Sequence, residues 1–255
     1  MRGKFFGLLL SCTVAFSSMS FVAFAEEENS IQKKIMEANQ DMQETIKNMP
    51  LDEQEAARKE WERSQKDYEE FLRKDVKVDP VKVAEALRSK FNDPNITVED
   101  AKNLVGALGF PPSHHTRGDV FVTWDNKTSG FRHGHAGIGS HSSSLTVESF
   151  PEGGVQYRAR STWPNNTRKW AAYLVDGAKS DEYQSAASFS ENSVGKPYSR
   201  DFFNKRRTDR YYCSSIVWRA WVNQGYDLDS NGGGAVLPSD IDRSKKAIAY
   251  YTKGF

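Results

Sequence analysis

Cysteine is nearly absent from this 255-residue chain: there are two, and only Cys213 lies beyond the first two dozen residues. Exported proteins meet oxidising surroundings in which cysteines usually pair, so an unpartnered thiol is either an inert apolar filler or a working nucleophile. Long apolar runs are missing beyond residue 25, which leaves no candidate membrane-spanning segment in the mature chain. Charge of one sign is missing too: past residue 25 there are 33 basic and 34 acidic residues. A nucleic-acid partner would need a dominant basic face to exchange counterions with phosphate, and none is expected. Internal repeats and low-complexity tracts are also lacking, which sets aside solenoids and arrays.

What is present begins with "MRGKFFGLLLSCTVAFSSMSFVAFA", where Arg2 and Lys4 precede an apolar run and Ala23 and Ala25 stand at its end. Residues 1–25 read as a signal peptide with an A-x-A site, cut after Ala25. A lipid anchor at Cys12 fits less well, because Leu10 is bulky where such signals carry a small residue and the apolar run continues past the thiol. The mature protein is therefore expected to be secreted or extracytoplasmic.

Residues 26–109 carry the helical period and read as a solvated arm or a pro-region. Ile31, Ile35, Met42, Ile46 and Met49 form a narrow apolar stripe that Pro50 ends. Asp52 and Glu55 have the spacing of a capping box ahead of a highly charged helix. Asp79-Pro80 predicts a third helix start, and Thr97 with Asp100 a fourth, which Gly109 terminates.

From Gly118 the period changes to that of strands. "DVFVTW", "HGHAGIGS", "SLTVESF" and "GVQYRARS" are separated by the turn formers of "SHSSS" and "PEGG", which predicts an antiparallel meander of three or more strands. Helical patterns return at 181–191 and from Cys213 to Gln224, with Gly225 as terminator. The fold class is α+β, a central sheet with the thiol on a late helix.

A cysteine in the first turn of a helix faces free backbone N–H groups and the positive end of the dipole, both of which favour thiolate. Such a nucleophile needs a base within reach, and the base needs a group to hold its tautomer. All five histidines, His114, His115, His133, His135 and His141, fall before or within the meander. His133 and His135 share a strand face, and spacing alone does not choose between them. With a four-residue hairpin loop, His141 to Ser144, Gly137 lies opposite Glu148 and His135 becomes its diagonal neighbour. Glu148 is thereby the candidate orienter, with Ser149 and His141 as competitors; a slip of one residue would reverse the face. Tyr198, Tyr212 and Trp124 are candidates to line a groove or to fill the core. A zinc site built on His133 and His135 with His114, His115 or Cys213 lacks a compact further set of ligands, so neither metal nor cofactor is expected.

The succession "RGDVFVTW", "HGHAGIG", "VESF", "VGKPY", "YYCSSIVWRAW", "AVLPSDI" resembles the permuted papain-like cysteine hydrolases of the NlpC-type superfamily, in particular the YiiX/YebB-like group. The resemblance covers about residues 113–245 and implies a permuted papain-like domain over 113–255, in which the histidine strand precedes the cysteine helix. It implies Cys213 as nucleophile, His135 as base and Glu148 as the third polar group. The family usually carries an acidic residue two positions after the cysteine; Ser215 stands there in this chain. For an exported member the implied substrates are peptides or peptidoglycan fragments, with amide bonds of cell-wall stem peptides foremost. Lipid or thioester acyl groups and an inactive wall-binding module are the rival readings.

Overall fold

A computed structural model of the chain describes residues 43–44, 46–106, 116–124 and 134–255. The signal-peptide segment, Ile31, Ile35, Met42 and Gly109, and His114, His115 and His133, lie outside those residues.

The meander extends into a six-stranded antiparallel sheet of order β4-β3-β2-β1-β5-β6. Its strands are β1 (Val120–Thr123), β2 (His135–Gly139), β3 (Leu145–Phe150), β4 (Gly154–Ala159), β5 (Trp170–Val175) and β6 (Ala247–Lys253). β5 is buried along its whole length. A strand covered on both faces shows no polar alternation, which is why its pattern did not register as a strand in the sequence.

The helix starts follow local chemistry. α1 (Leu51–Arg73) begins one residue ahead of the expected capping box: Pro50 O accepts from Glu53 N and Gln54 N, at 2.9 and 3.2 Å. Asp52 is thus inside the first turn, and Glu55 pairs with Lys59 instead of capping. α2 (Pro80–Phe91) starts as expected, with Asp79 accepting from Val81 N and Lys82 N. Before α3 (Val98–Gly106), Thr97 Oγ1 accepts from Asp100 N while Asp100 Oδ2 accepts from Thr97 N.

α2 and α3 are not the solvated arm that their charge suggested, whereas α1 is largely exposed. Val83, Ala84, Ala86, Leu87 and Ala101 lie in the same hydrophobic core as Val120, Ile138, Trp170 and Ile216. Lys90, in the last turn of α2, is buried with its ammonium 2.5 Å from Asp119 Oδ1, and Tyr250 of β6 donates to Asp119 Oδ2 at 2.8 Å. A buried pair of this kind holds only when both partners are in place. The boundary drawn near residue 110 therefore does not separate two cores.

One face of the sheet packs on α6 (Cys213–Val222), which contacts β2 and β3. The other face carries Phe121, Trp163 and Trp170 with ring centroids 5.5 to 6.3 Å apart, Trp163 coming from the short helix α4 (Thr162–Asn166). α5 (Ser180–Glu191) and α7 (Pro238–Arg243) complete the described helices named here. Among the described residues no helix is long and apolar enough to cross a membrane.

Candidate active site

Several polar contacts fix the start of α6. Ser215 Oγ accepts from Tyr212 N and donates to Tyr212 O, each at 2.9 Å, so the residue that replaces the family's acidic one serves as a local cap. Ser214 Oγ donates to Val236 O at 2.6 Å, and Val236 N donates to Tyr212 Oη at 3.0 Å. Ser149 Oγ donates to Tyr211 O at 2.6 Å, which ties the end of β3 to the residues entering α6. Ser149, a rival orienter in the sequence, thus serves the thiol's helix and not the imidazole. At the far end, Gly225 adopts φ +88°, the left-handed terminator that a Cβ would strain.

Cys213 is the first residue of α6 and is partly buried. Its thiol faces the His135 imidazole and the N–H of Ala136, the neighbour of His135 on β2, and both favour the thiolate. The β2–β3 hairpin pairs Gly137 with Glu148, the register that a four-residue loop requires. Glu148 Oε2 lies 2.7 Å from His135 Nε2. With Nε2 so engaged, Nδ1 is the ring nitrogen left for the thiol. Glu148 Oε1 in turn accepts from Thr146 Oγ1 at 2.5 Å and Trp163 Nε1 at 3.0 Å.

Gly137 makes this approach feasible. A Cβ there would stand 2.8 Å from Glu148 Cγ and 3.0 Å from Trp163 Cζ2, so any side chain would displace the carboxylate or the indole. The imidazole is held between rings, stacked on Phe150 at 4.6 Å and on Trp163 at 5.8 Å. His141, the other competitor, is turned away: its Nδ1 lies 2.9 Å from Glu191 Oε2 on α5.

The electrostatics follow from these contacts. Burial acts against a charged imidazole, but hydrogen bonds to Cys213 and Glu148, with their negative charges, overcome it and push His135 up to about 10. Burial likewise opposes the thiolate, yet the His135 hydrogen bond and charge, the Ala136 N–H and Ser214 bring Cys213 below the usual thiol range. For Glu148, burial is outweighed by His135, Thr146 and Trp163, and the carboxyl is lowered. The arrangement favours a thiolate–imidazolium pair backed by a carboxylate, with the Cys213 N–H at the helix start as a donor for a developing oxyanion.

Beside His135 and Glu148 opens a cavity of about 310 Å³, whose lining includes Trp163, Arg158, Asn165 and Asn166. Tyr212 is buried core, its ring 5.4 Å from that of Phe202. Trp124 is buried too, edge-on to Phe255 at 4.8 Å. Tyr198 lies closer to the chemistry: burial and then the Cys213 charge raise its hydroxyl. Sequence reasoning missed Thr146 and Trp163. Thr146 was within reach of the two-residue period that selected Glu148; Trp163, on a five-residue helix, left no periodic signal. Among the described residues no group of three or more His, Cys, Asp or Glu is placed to hold a metal.

A thiol on a helix N-terminus, facing an imidazole and carboxylate on an antiparallel sheet that precedes it in the chain, defines the papain-like architecture in permuted order. Residues 116–230 match the model of the family described as permuted papain-like amidase enzyme, YaeF/YiiX, C92 family. Over 143 residues the chain is 34% identical to the uncharacterized protein YycO of Bacillus subtilis (strain 168). The match covers 53% of this chain and 56% of that one, so the chain spans about half the length of the curated relative it matches.

Proposed function

We propose that the protein is an exported cysteine amidase acting on peptide amides, with the stem peptides of the cell wall as its substrates and residues 1–25 as its export signal. One observation carries the reading: Cys213, at a helix start, lies within electrostatic reach of His135, whose Nε2 is 2.7 Å from Glu148 Oε2 at the edge of an open cavity.

In this mechanism Cys213 is nucleophile, His135 general acid and base, and Glu148 the group that orients the imidazole. The Cys213 thiolate adds to the amide carbonyl carbon, and the oxygen takes the negative charge opposite the helix-start N–H. As the C–N bond breaks, the imidazolium gives its proton to the departing nitrogen. Neutral His135 then takes a proton from water, whose oxygen adds to the thioester carbon. The C–S bond breaks, acid is released, and the thiolate–imidazolium pair returns. Loss of one oxyanion donor in such sites costs on the order of a hundredfold in rate.

The test is digestion of purified peptidoglycan by the mature protein, read as new amino and carboxyl termini by mass spectrometry. Release by wild type and none by Cys213→Ala is expected. No release by wild type, or equal release by both, overturns the proposal.

A further inference from the structure

The cavity beside the imidazole has a direction. Its lining includes His135 and Glu148 but not Cys213, so it extends on the side of the general acid and not on the side of the nucleophile. In amide cleavage the departing nitrogen must meet the imidazole to receive its proton, while the acyl carbon stays on sulfur. The space therefore belongs to the amine half of the substrate.

Arg158 gives that space its chemistry. Its guanidinium carbon lies 5.3 Å from the centroid of Phe150, whose ring stacks on His135 at 4.6 Å. On β4, Arg158 pairs with Thr146, so it projects from the face of the sheet that carries Glu148. Among the described residues it has no carboxylate partner. Arg158 is exposed, so its charge is solvated in the free protein and open to a ligand at the cavity rim. The one carboxylate that shares the cavity, Glu148, is committed to His135, Thr146 and Trp163. A guanidinium fork matches a carboxylate in plane and spacing, and the amides of Asn165 and Asn166 line the same space.

We infer that this cavity is the leaving-group site, and that Arg158 there selects amines bearing a carboxylate: a C-terminal amino acid, or a residue with a free carboxylate next to the scissile nitrogen. The inference rests on the hydrolase reading above and names the substrate class for that site. Arg158 is a specificity residue that binds the substrate's carboxylate and takes no part in proton transfer.

By microscopic reversibility, an amine that intercepts the acyl-enzyme occupies the leaving-group site. The mature protein is therefore acetylated on Cys213 with p-nitrophenyl acetate in the presence of alanine or alaninamide, at equal concentrations of unprotonated amine. Attack of the amine nitrogen on the thioester carbon forms N-acetyl product, breaks the C–S bond and leaves the nitrogen's proton on His135. The wild type is expected to form acetyl-alanine over acetyl-alaninamide by about two- to fivefold, the scale of one carboxylate contact at an exposed site. Arg158→Gln should bring that ratio near unity, and Arg158→Lys should restore part of it. Cys213-dependent ester hydrolysis with the same product ratio in wild type and Arg158→Gln overturns the leaving-group assignment and leaves the hydrolase standing. Ester hydrolysis indifferent to Cys213→Ala overturns both.

Discussion

Replacing Glu148 with glutamine preserves the shape of the side chain and removes its charge, and the structure determines how the amide must sit. Trp163 Nε1 faces Oε1 at 3.0 Å and can only donate. The oxygen of the introduced amide therefore turns to Trp163, and its NH2 faces His135 Nε2. That nitrogen must then accept, the ring proton moves to Nδ1, and the imidazole can no longer take a proton from the thiol. The charge is lost as well. For unit charges about 4 Å apart near the surface of a protein, the attraction is on the order of 4 kcal/mol, and part of it survives as a neutral hydrogen bond. Losing about half of it weakens the hold of His135 on its proton by roughly thirtyfold. Together with the wrong tautomer, this predicts a fall in kcat of about a thousandfold for Glu148→Gln at neutral pH, with little change in KM because Glu148 supports His135 and does not hold the leaving group. The assay is steady-state hydrolysis of an activated acyl substrate across pH 5–10, with nitrogen-15 NMR of His135 to read the tautomer. A variant that keeps more than about a tenth of wild-type kcat, with Nε2 still protonated, would refute the reasoning.

Other perturbations test the supports of the site. Gly137→Ala places a methyl 2.8 Å from Glu148 Cγ; overpacking of this kind costs about 1–3 kcal/mol and should lower both Tm and kcat as the carboxylate is pushed from His135. Lys90→Met strands the Asp119 charge among buried side chains, and a loss of about 3–5 kcal/mol in urea unfolding is expected; an unchanged midpoint would contradict the place of α2 in the core. Asp240, pushed up to about 6 by burial and then by the Asp229 charge despite its bond from Leu237 N, binds its proton more tightly folded than unfolded. Its contribution to stability is thus full below the unfolded carboxylate pKa, near 4, and is lost as pH rises through about 6. The Tm of wild type relative to Asp240→Asn should therefore fall from pH 4.5 to 7.5, and a difference constant with pH would show the assignment wrong.

The hairpin that carries the imidazole was legible because "HGHAGIGSHSSSLTVESF" alternates at period two on both sides of a polar loop of definite length. A slip of one residue would put Ala136 and Ile138 on the face of Glu148 in place of His135 and Gly137, so the loop length sets the register. The helix of Cys213 was legible from "YYCSSIVWRAW", an apolar face behind small polar residues, with glycine beyond it. Other parts left no such trace. β5 is covered on both faces and shows no alternation, and β6 pairs with it from the far end of the chain. Lys90 and Glu85 look alike as charges on α2, yet one is buried against Asp119 and the other is exposed, a distinction that only tertiary packing makes. Trp163 donates to Glu148 from a segment too short to have a period. The local geometry of the hairpin could be deduced; the partners brought to it from elsewhere could not.

The central claim is that Cys213 and His135 form an ion pair at neutral pH. The most direct test is the pH dependence of Cys213 alkylation by iodoacetamide in the wild-type protein and in His135→Ala, with circular dichroism to verify the fold. The account predicts a wild-type inflection well below the ordinary thiol value of about 8.5, and its return toward or above that value in the variant. An inflection at the ordinary value in wild type, or a low one that His135→Ala leaves in place, would contradict it.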